Sequence, residues 1–146
     1  MSAATRRTSG STAMDDYLEQ ILHLIEAKGY ARAVDISKNL GISQASVTNM
    51  LRRLDGEGLV KHEKYRGTVL TEDGHRIARA IIDRHETLTR FLRLFDIDEA
   101  TIYHDVEGME HHVSRPTLDV IRAVADMLEA DAGLLDQVRT KAGFKT

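Results

Sequence analysis

The spacing of apolar residues changes character several times along the chain, and each change marks an element. Residues 1–13 show no periodicity and read as a disordered arm. From Met14 a helical period sets in: Tyr17, Ile21, Leu24 and Ile25 share a face, and Ala27-Lys28-Gly29 reads as an ending. Ala33 to Leu40 forms a short second helix, stopped near Gly41. Ser43 offers a cap to a third, in which Val47, Met50, Leu51 and Leu54 repeat until Gly56 and Gly58 close it. The period then shortens. Leu59 to Lys64 and Thr68 to Thr71 are strand candidates around Tyr65-Arg66-Gly67.

Two helices separated by a four-residue break and followed by a small hairpin give the order of a winged helix-turn-helix over residues 14–71. In such a module the third helix enters a major groove and the charged hairpin reaches phosphates or a minor groove. Residues 72–146 read as all helical. Thr71 or a neighbour can cap a helix that carries Glu72 and Asp73 in its first turn, where negative charge is favoured. Its apolar stripe runs through Ile77, Ala78, Ile81, His85, Leu88, Phe91, Leu92 and Phe95. Asp96 and Glu99 have capping-box spacing for the next helix, whose apolar side is Ile102, Val106, Met109 and Val113. Pro116 suits the first turn of a further helix with Leu118, Ile121, Ala125 and Leu128, and a last short one spans Leu134 to Lys141. The expected fold is therefore mainly α: a winged helix-turn-helix followed by an all-helical domain.

Composition narrows the chemistry. The 146 residues include no cysteine, which excludes disulfides, thiolate zinc or iron–sulfur sites and a thiol nucleophile. No apolar run approaches a membrane span and no hydrophobic signal segment opens the chain, so a cytoplasmic protein without a membrane partner is expected. The formal charge of -3 averages unlike halves: residues 1–71 are net +2 and residues 72–146 net -5. Anions are expected to favour the first half and cations the second.

Two groups of residues are candidate sites. On the third helix, Ser43, Gln44, Ser46, Thr48 and Asn49 put short donors and acceptors at the leading end, suited to base edges and phosphates. Arg52 and Arg53 follow, with Lys61, Lys64 and Arg66 on the hairpin. The plainer reading is a capped surface helix with solvated charges; the order of the elements favours duplex DNA. The second group is Glu107, Glu110 and His111, whose spacing places them around one side of a helix. Asp16 and Glu19 are similarly three apart on the first helix, and His85 occupies a slot in an apolar stripe. A solvated acidic face and a neutral core histidine are the bland alternatives. If the three helices converge, their carboxylates need a counter-charge, and oxygen-rich ligands with some imidazole suit Mn²⁺, or Fe²⁺ less selectively.

The segments Met14-Asp-Asp-Tyr-Leu-Glu-Gln-Ile21, Glu26-Ala-Lys-Gly-Tyr-Ala-Arg32, Glu63-Lys-Tyr-Arg-Gly67 and Asp105-Val-Glu-Gly-Met-Glu-His-His112 carry a resemblance. The chain closely resembles the manganese-responsive branch of the diphtheria-toxin-repressor family of bacterial metalloregulators, from about Met14 to past Leu128. The resemblance implies that Asp16, Glu19, His85, Glu107, Glu110 and His111 are metal ligands for one or two Mn²⁺ per subunit. Fe²⁺, Co²⁺, Cd²⁺ and Zn²⁺ are alternative ions. Iron-responsive relatives carry methionine where Asp16 stands and cysteine where Glu107 stands, so this chain departs toward hard oxygen. A homodimer built through the C-terminal helices, bound to a palindromic operator and repressing metal-uptake genes, is the implied assembly, with no small-molecule substrate. The competing readings are a winged-helix regulator that needs no metal and a dinuclear metalloenzyme. Against the enzyme, the chain lacks His-Glu-x-x-His and the repeated Glu-x-x-His of di-iron bundles.

Overall fold

A computed structural model describes residues 11–144, with the side chain of Ser11 set aside. Most of the arm expected over 1–13 lies outside the described residues. The order is α1 (Ser11–Lys28), α2 (Ala33–Leu40), α3 (Gln44–Gly56), β1 (Val60–Glu63), β2 (Gly67–Leu70), α4 (Glu72–Arg93), α5 (Glu99–Met109), α6 (Arg115–Ala130) and α7 (Ala132–Lys141). Helix α1 begins at Ser11, three residues before the expected Met14. A helical N-terminus needs no apolar period, which is why the pattern missed this turn. The chain forms two compact units that part between Ala80 and Ile81, inside α4.

The first unit is built on a broad apolar face of α1. Leu18, Ile21 and Leu22 are fully buried there with Tyr17 and Leu24, while Ile25 is only half-buried. Gly29 ends the helix in the left-handed region, its N–H reaching the Ile25 carbonyl at 2.7 Å. Ile36 of α2 and Val47 and Leu54 of α3 complete the core. Gly41 closes α2 with a left-handed cap, and the Ser43 side chain accepts from the Ser46 N–H to start α3, as the sequence implies. Strands β1 and β2 pair antiparallel with Lys61 opposite Val69 and His62 opposite Thr68.

The hairpin is fastened near its tip. Thr68 N–H donates to the Ala31 carbonyl at 2.8 Å. Gly67, at φ 76°, lies so close that a Cβ would stand 2.6 Å from the same oxygen. Gly67→Ala is therefore expected to destabilise the protein by about 2 kcal/mol, combining a left-handed backbone with a backbone collision. Chemical denaturation measures it, and a wild-type midpoint would contradict the close approach.

The first turns of α4 belong with this unit for a local reason. The Thr71 hydroxyl donates to the Gly58 carbonyl at 2.7 Å and accepts from Gly74 N–H at 3.0 Å. Thr71 is thus the α4 cap and a tie to the entry of β1 at once.

In the second unit, Leu88, Ile102, Val106 and Leu118 form a buried cluster with Leu92, Ile97, Val113 and Ile121 packed against it. Met109, expected on the apolar side of α5, is exposed instead. Arg122 donates to Asp83 at 2.7 Å and to Thr87 at 3.1 Å, and Arg90 engages Glu129 and Asp126, joining α6 to α4.

The cap of α5 is Asp98, not Asp96. Its side chain accepts from the Thr101 N–H at 2.8 Å, and the Thr101 hydroxyl and amide hold its carboxyl below the usual aspartate range. Glu99, cast as the far half of a capping box, pairs with Arg93 through two bonds of 2.9 Å. Asp98 wins because it stands immediately before the helix, where an acceptor reaches the unpaired N–H groups. Among the described residues no helix is long and apolar enough to cross a membrane.

Candidate metal centre and nucleic-acid interface

The C-terminal end of α5 decides the local geometry of the acidic group. The helix stops at Met109, so Glu110 is its C-cap and His111 lies in the turn that follows. The expectation that Glu107, Glu110 and His111 sit on one continuous helix is corrected accordingly. Gly108 weakens the last turn, and the N–H groups of His112 and Val113 both fold back to the Met109 carbonyl. That turn directs Glu110 inward: it is only 2 % exposed.

His85 comes from α4, 25 positions earlier, and brings Nδ1 within hydrogen-bonding distance of Oε2 of Glu110, at 2.7 Å. His111 Nε2 stands 3.4 Å from the other oxygen, Oε1, with its side chain largely buried. One donor atom each from His85, Glu107 and Glu110 lies within 4.8 Å of the others. His85 thus leaves the apolar stripe for the acidic group, although it sits at a stripe position.

Two carboxylates this close, one of them buried, repel each other and lose hydration, so the arrangement favours a positive partner. The donors are carboxylate oxygen and imidazole nitrogen, without thiolate, a set that fits a divalent transition metal of the harder kind. Asp16 and Glu19 lie one turn apart on α1 in the first unit and are half-buried. Glu19 is 3.6 Å from His23, a turn further on.

On α3, Gln44, Ser46, Thr48, Asn49, Arg52 and Arg53 are all exposed, because Val47 and Leu54 take the opposite side into the core. Ser43 is spent on capping and on a 3.0 Å bond to the Ser46 hydroxyl, which leaves it less suited to reading bases than its neighbours. The hairpin cations differ among themselves. Arg66 donates to Glu63 at 3.2 Å and to the Gly29 carbonyl at 3.4 Å, and Lys61 also lies near Glu63, at 3.6 Å. Lys64 instead stands over the Tyr65 ring.

Three residues on this side carry no signal in the spacing of apolar positions. Arg32, His62 and Tyr65 line a cavity of about 370 Å³ between the start of α2, α3 and the hairpin. A cation next to an aromatic at a hairpin tip, Lys64-Tyr65, was the available signal.

Both halves of the chain match known family descriptions. Residues 11–68 match the family description "iron dependent repressor, N-terminal DNA binding domain". Residues 71–132 match "iron dependent repressor, metal binding and dimerisation domain". The chain is 45 % identical over 127 residues to the HTH-type transcriptional regulator MntR of Geobacillus thermodenitrificans, covering 87 % of this chain and 90 % of that one. With MntR of Bacillus subtilis the identity is 47 % over 119 residues, covering 82 % and 84 %. Among solved structures, the manganese regulator SloR superposes with a TM-score of 0.67 at 26 % identity, covering 77 % of this chain and 53 % of that one. A manganese-dependent transcriptional repressor in complex with manganese gives 0.62 at 26 %, covering 77 % and 52 %. The chain spans about half the length of these two structures.

Proposed function

The chain belongs to the diphtheria-toxin-repressor (iron-dependent repressor) family of metalloregulators, DNA-binding regulators rather than enzymes, and from that premise we propose a manganese-activated repressor. In this reading it binds a palindromic operator as a homodimer in the cytoplasm and controls metal-uptake genes. The observation that carries the metal dependence is the buried Glu110 carboxylate with His85 and Glu107 around it. We assign Asp16, Glu19 and His111 to the same ligand set from the resemblance of their motifs.

A bound cation supplies the charge that lets these acids share one site. What the residues themselves do is hold fixed positions: His85 orients Glu110, and the α5 cap turn keeps Glu110 and His111 adjacent. In this reading, a cation held by these residues would favour the arrangement in which two reading helices meet successive major grooves, roughly 34 Å apart. The exposed stripe Val120, Val124 and Met127 on α6 supports the homodimer, since it lies in the part matched by the dimerisation description.

Selectivity is expected to come from geometry rather than affinity. Zn²⁺ and Co²⁺ bind nitrogen and oxygen sites at least as tightly as Mn²⁺. A panel of buffered divalent metals, read by DNA binding to a duplex selected from a random pool, tests the reading. Strong binding with Mn²⁺ and weak binding in chelator is the expected pattern. Equal binding in both would contradict it.

The footprint makes its own prediction. Arg52→Ala and Lys64→Ala are each expected to lower the slope of log affinity against log salt by about one phosphate contact. Arg66→Ala is expected to change it less, because Glu63 already shares that charge. Unchanged slopes for Arg52 and Lys64 would remove both from the interface.

A further inference from the structure

We propose that Tyr65, at the tip of the β1–β2 hairpin, is a sequence-selective DNA contact that reads an A·T-rich minor groove beside the bases read by α3. The proposal rests on the DNA-binding role of the winged domain and adds a determinant outside the recognition helix.

Tyr65 is 84 % exposed, the most exposed of the large hydrophobic side chains among the described residues. It is also the one non-glycine residue there with a positive φ, at 73°. Glycine or asparagine would adopt that conformation with less strain. The ring fills no core, so folding gives no reason for a tyrosine at this position. Strain held at an exposed tip points to a role for the side chain.

The tip is also held in place. Thr68 N–H is bonded to the Ala31 carbonyl, Gly67 packs against the same backbone, and Arg66 ties Glu63 to the Gly29 carbonyl. A rigid presentation limits the entropy lost on binding. Tyr65 faces the correct side as well. The cavity it lines with Arg32 shares Leu51, His62 and Thr68 with a second, of about 250 Å³, bounded by Thr48 and Arg52 of α3. One concave surface therefore joins the reading helix to the wing tip.

The chemistry selects the groove. Lys64 Nζ lies 5.3 Å from the centroid of the Tyr65 ring, so positive charge travels with the aromatic. A·T tracts have a narrow minor groove of enhanced negative potential. They present only the acceptors adenine N3 and thymine O2, to which a phenol O–H can donate. The guanine amino group obstructs the same space.

The test is selection from a random duplex pool by the full-length protein with Mn²⁺, using wild type, Tyr65→Asn and Tyr65→Phe. Asparagine suits the left-handed backbone, and circular dichroism confirms that each variant folds. Wild type is expected to enrich an inner block and an A·T-rich flank. Tyr65→Asn should keep the inner block, lose the flank preference and bind the wild-type duplex about tenfold more weakly. Tyr65→Phe should keep part of the preference. A flank that persists in Tyr65→Asn, or that wild type never enriches, overturns the proposal. Uniform weakening on all sequences also overturns it, by showing a phosphate contact. If wild type enriches nothing, the DNA-binding reading itself fails, a distinct result.

Discussion

Replacing Glu110 with alanine is expected to remove the metal response of DNA binding, weakening it by about a hundredfold or more at a free Mn²⁺ level that saturates wild type. Glu110 is the natural focus of such an effect because it is the least exposed member of the acidic group and touches two imidazoles. His85 Nδ1 lies 2.7 Å from one oxygen and His111 Nε2 lies 3.4 Å from the other. Alanine deletes a proposed ligand and at the same time releases both rings. Glu110→Gln separates these effects, since it keeps the shape and one acceptor oxygen but removes the negative charge. Fluorescence anisotropy on a selected duplex across buffered Mn²⁺ measures both variants. Asp16→Ala is expected to share the loss. Wild-type Mn²⁺ dependence in Glu110→Ala and Asp16→Ala together would reject the proposed switch.

The largest effect on stability is expected at Gly74, in the first turn of α4. A Cβ at this position would stand 1.9 Å from the Leu59 carbonyl oxygen and 2.9 Å from its carbon. Those are backbone atoms at the entry of β1, already fixed by the bond from Thr71 N–H to the same carbonyl. No side-chain rotation relieves the collision, so either α4 shifts or the hairpin does. Gly74→Ala is expected to cost about 3 kcal/mol or more, despite alanine being the better helix former. Thermal unfolding should show a fall in Tm of roughly 10 °C. An unchanged or higher Tm would mean that the first turn of α4 does not pack on Leu59 as described.

The order of the elements was legible because each is announced locally. Ser43 precedes an apolar period, Gly41 follows one, and the alternation from Leu59 signals the hairpin. The α5 cap was misplaced because Asp96 and Asp98 are chemically equal candidates. The choice depends on where the α4 chain stops turning and on Arg93 claiming Glu99. The acidic group was legible as residue types but not as geometry. Spacing placed Glu110 and His111 on a helix that ends one residue before the first of them.

Nothing local predicts that His85, 25 residues away, hydrogen-bonds Glu110 rather than packing in the apolar stripe. Tyr65 escaped notice for a related reason. Turn sequences reveal that a reversal occurs, but not that Tyr65 takes a positive φ at its tip.

In the proposed switch, cation binding at the Glu110 group and operator binding by α3 are one coupled equilibrium. Coupling free energy between two sites must be the same from either side. Calorimetric titration of Mn²⁺ into the protein, alone and saturated with the selected duplex, measures one side of it. Tighter Mn²⁺ binding on DNA is expected, by the same factor that Mn²⁺ raises DNA affinity. Equal Mn²⁺ affinity with and without DNA would contradict it.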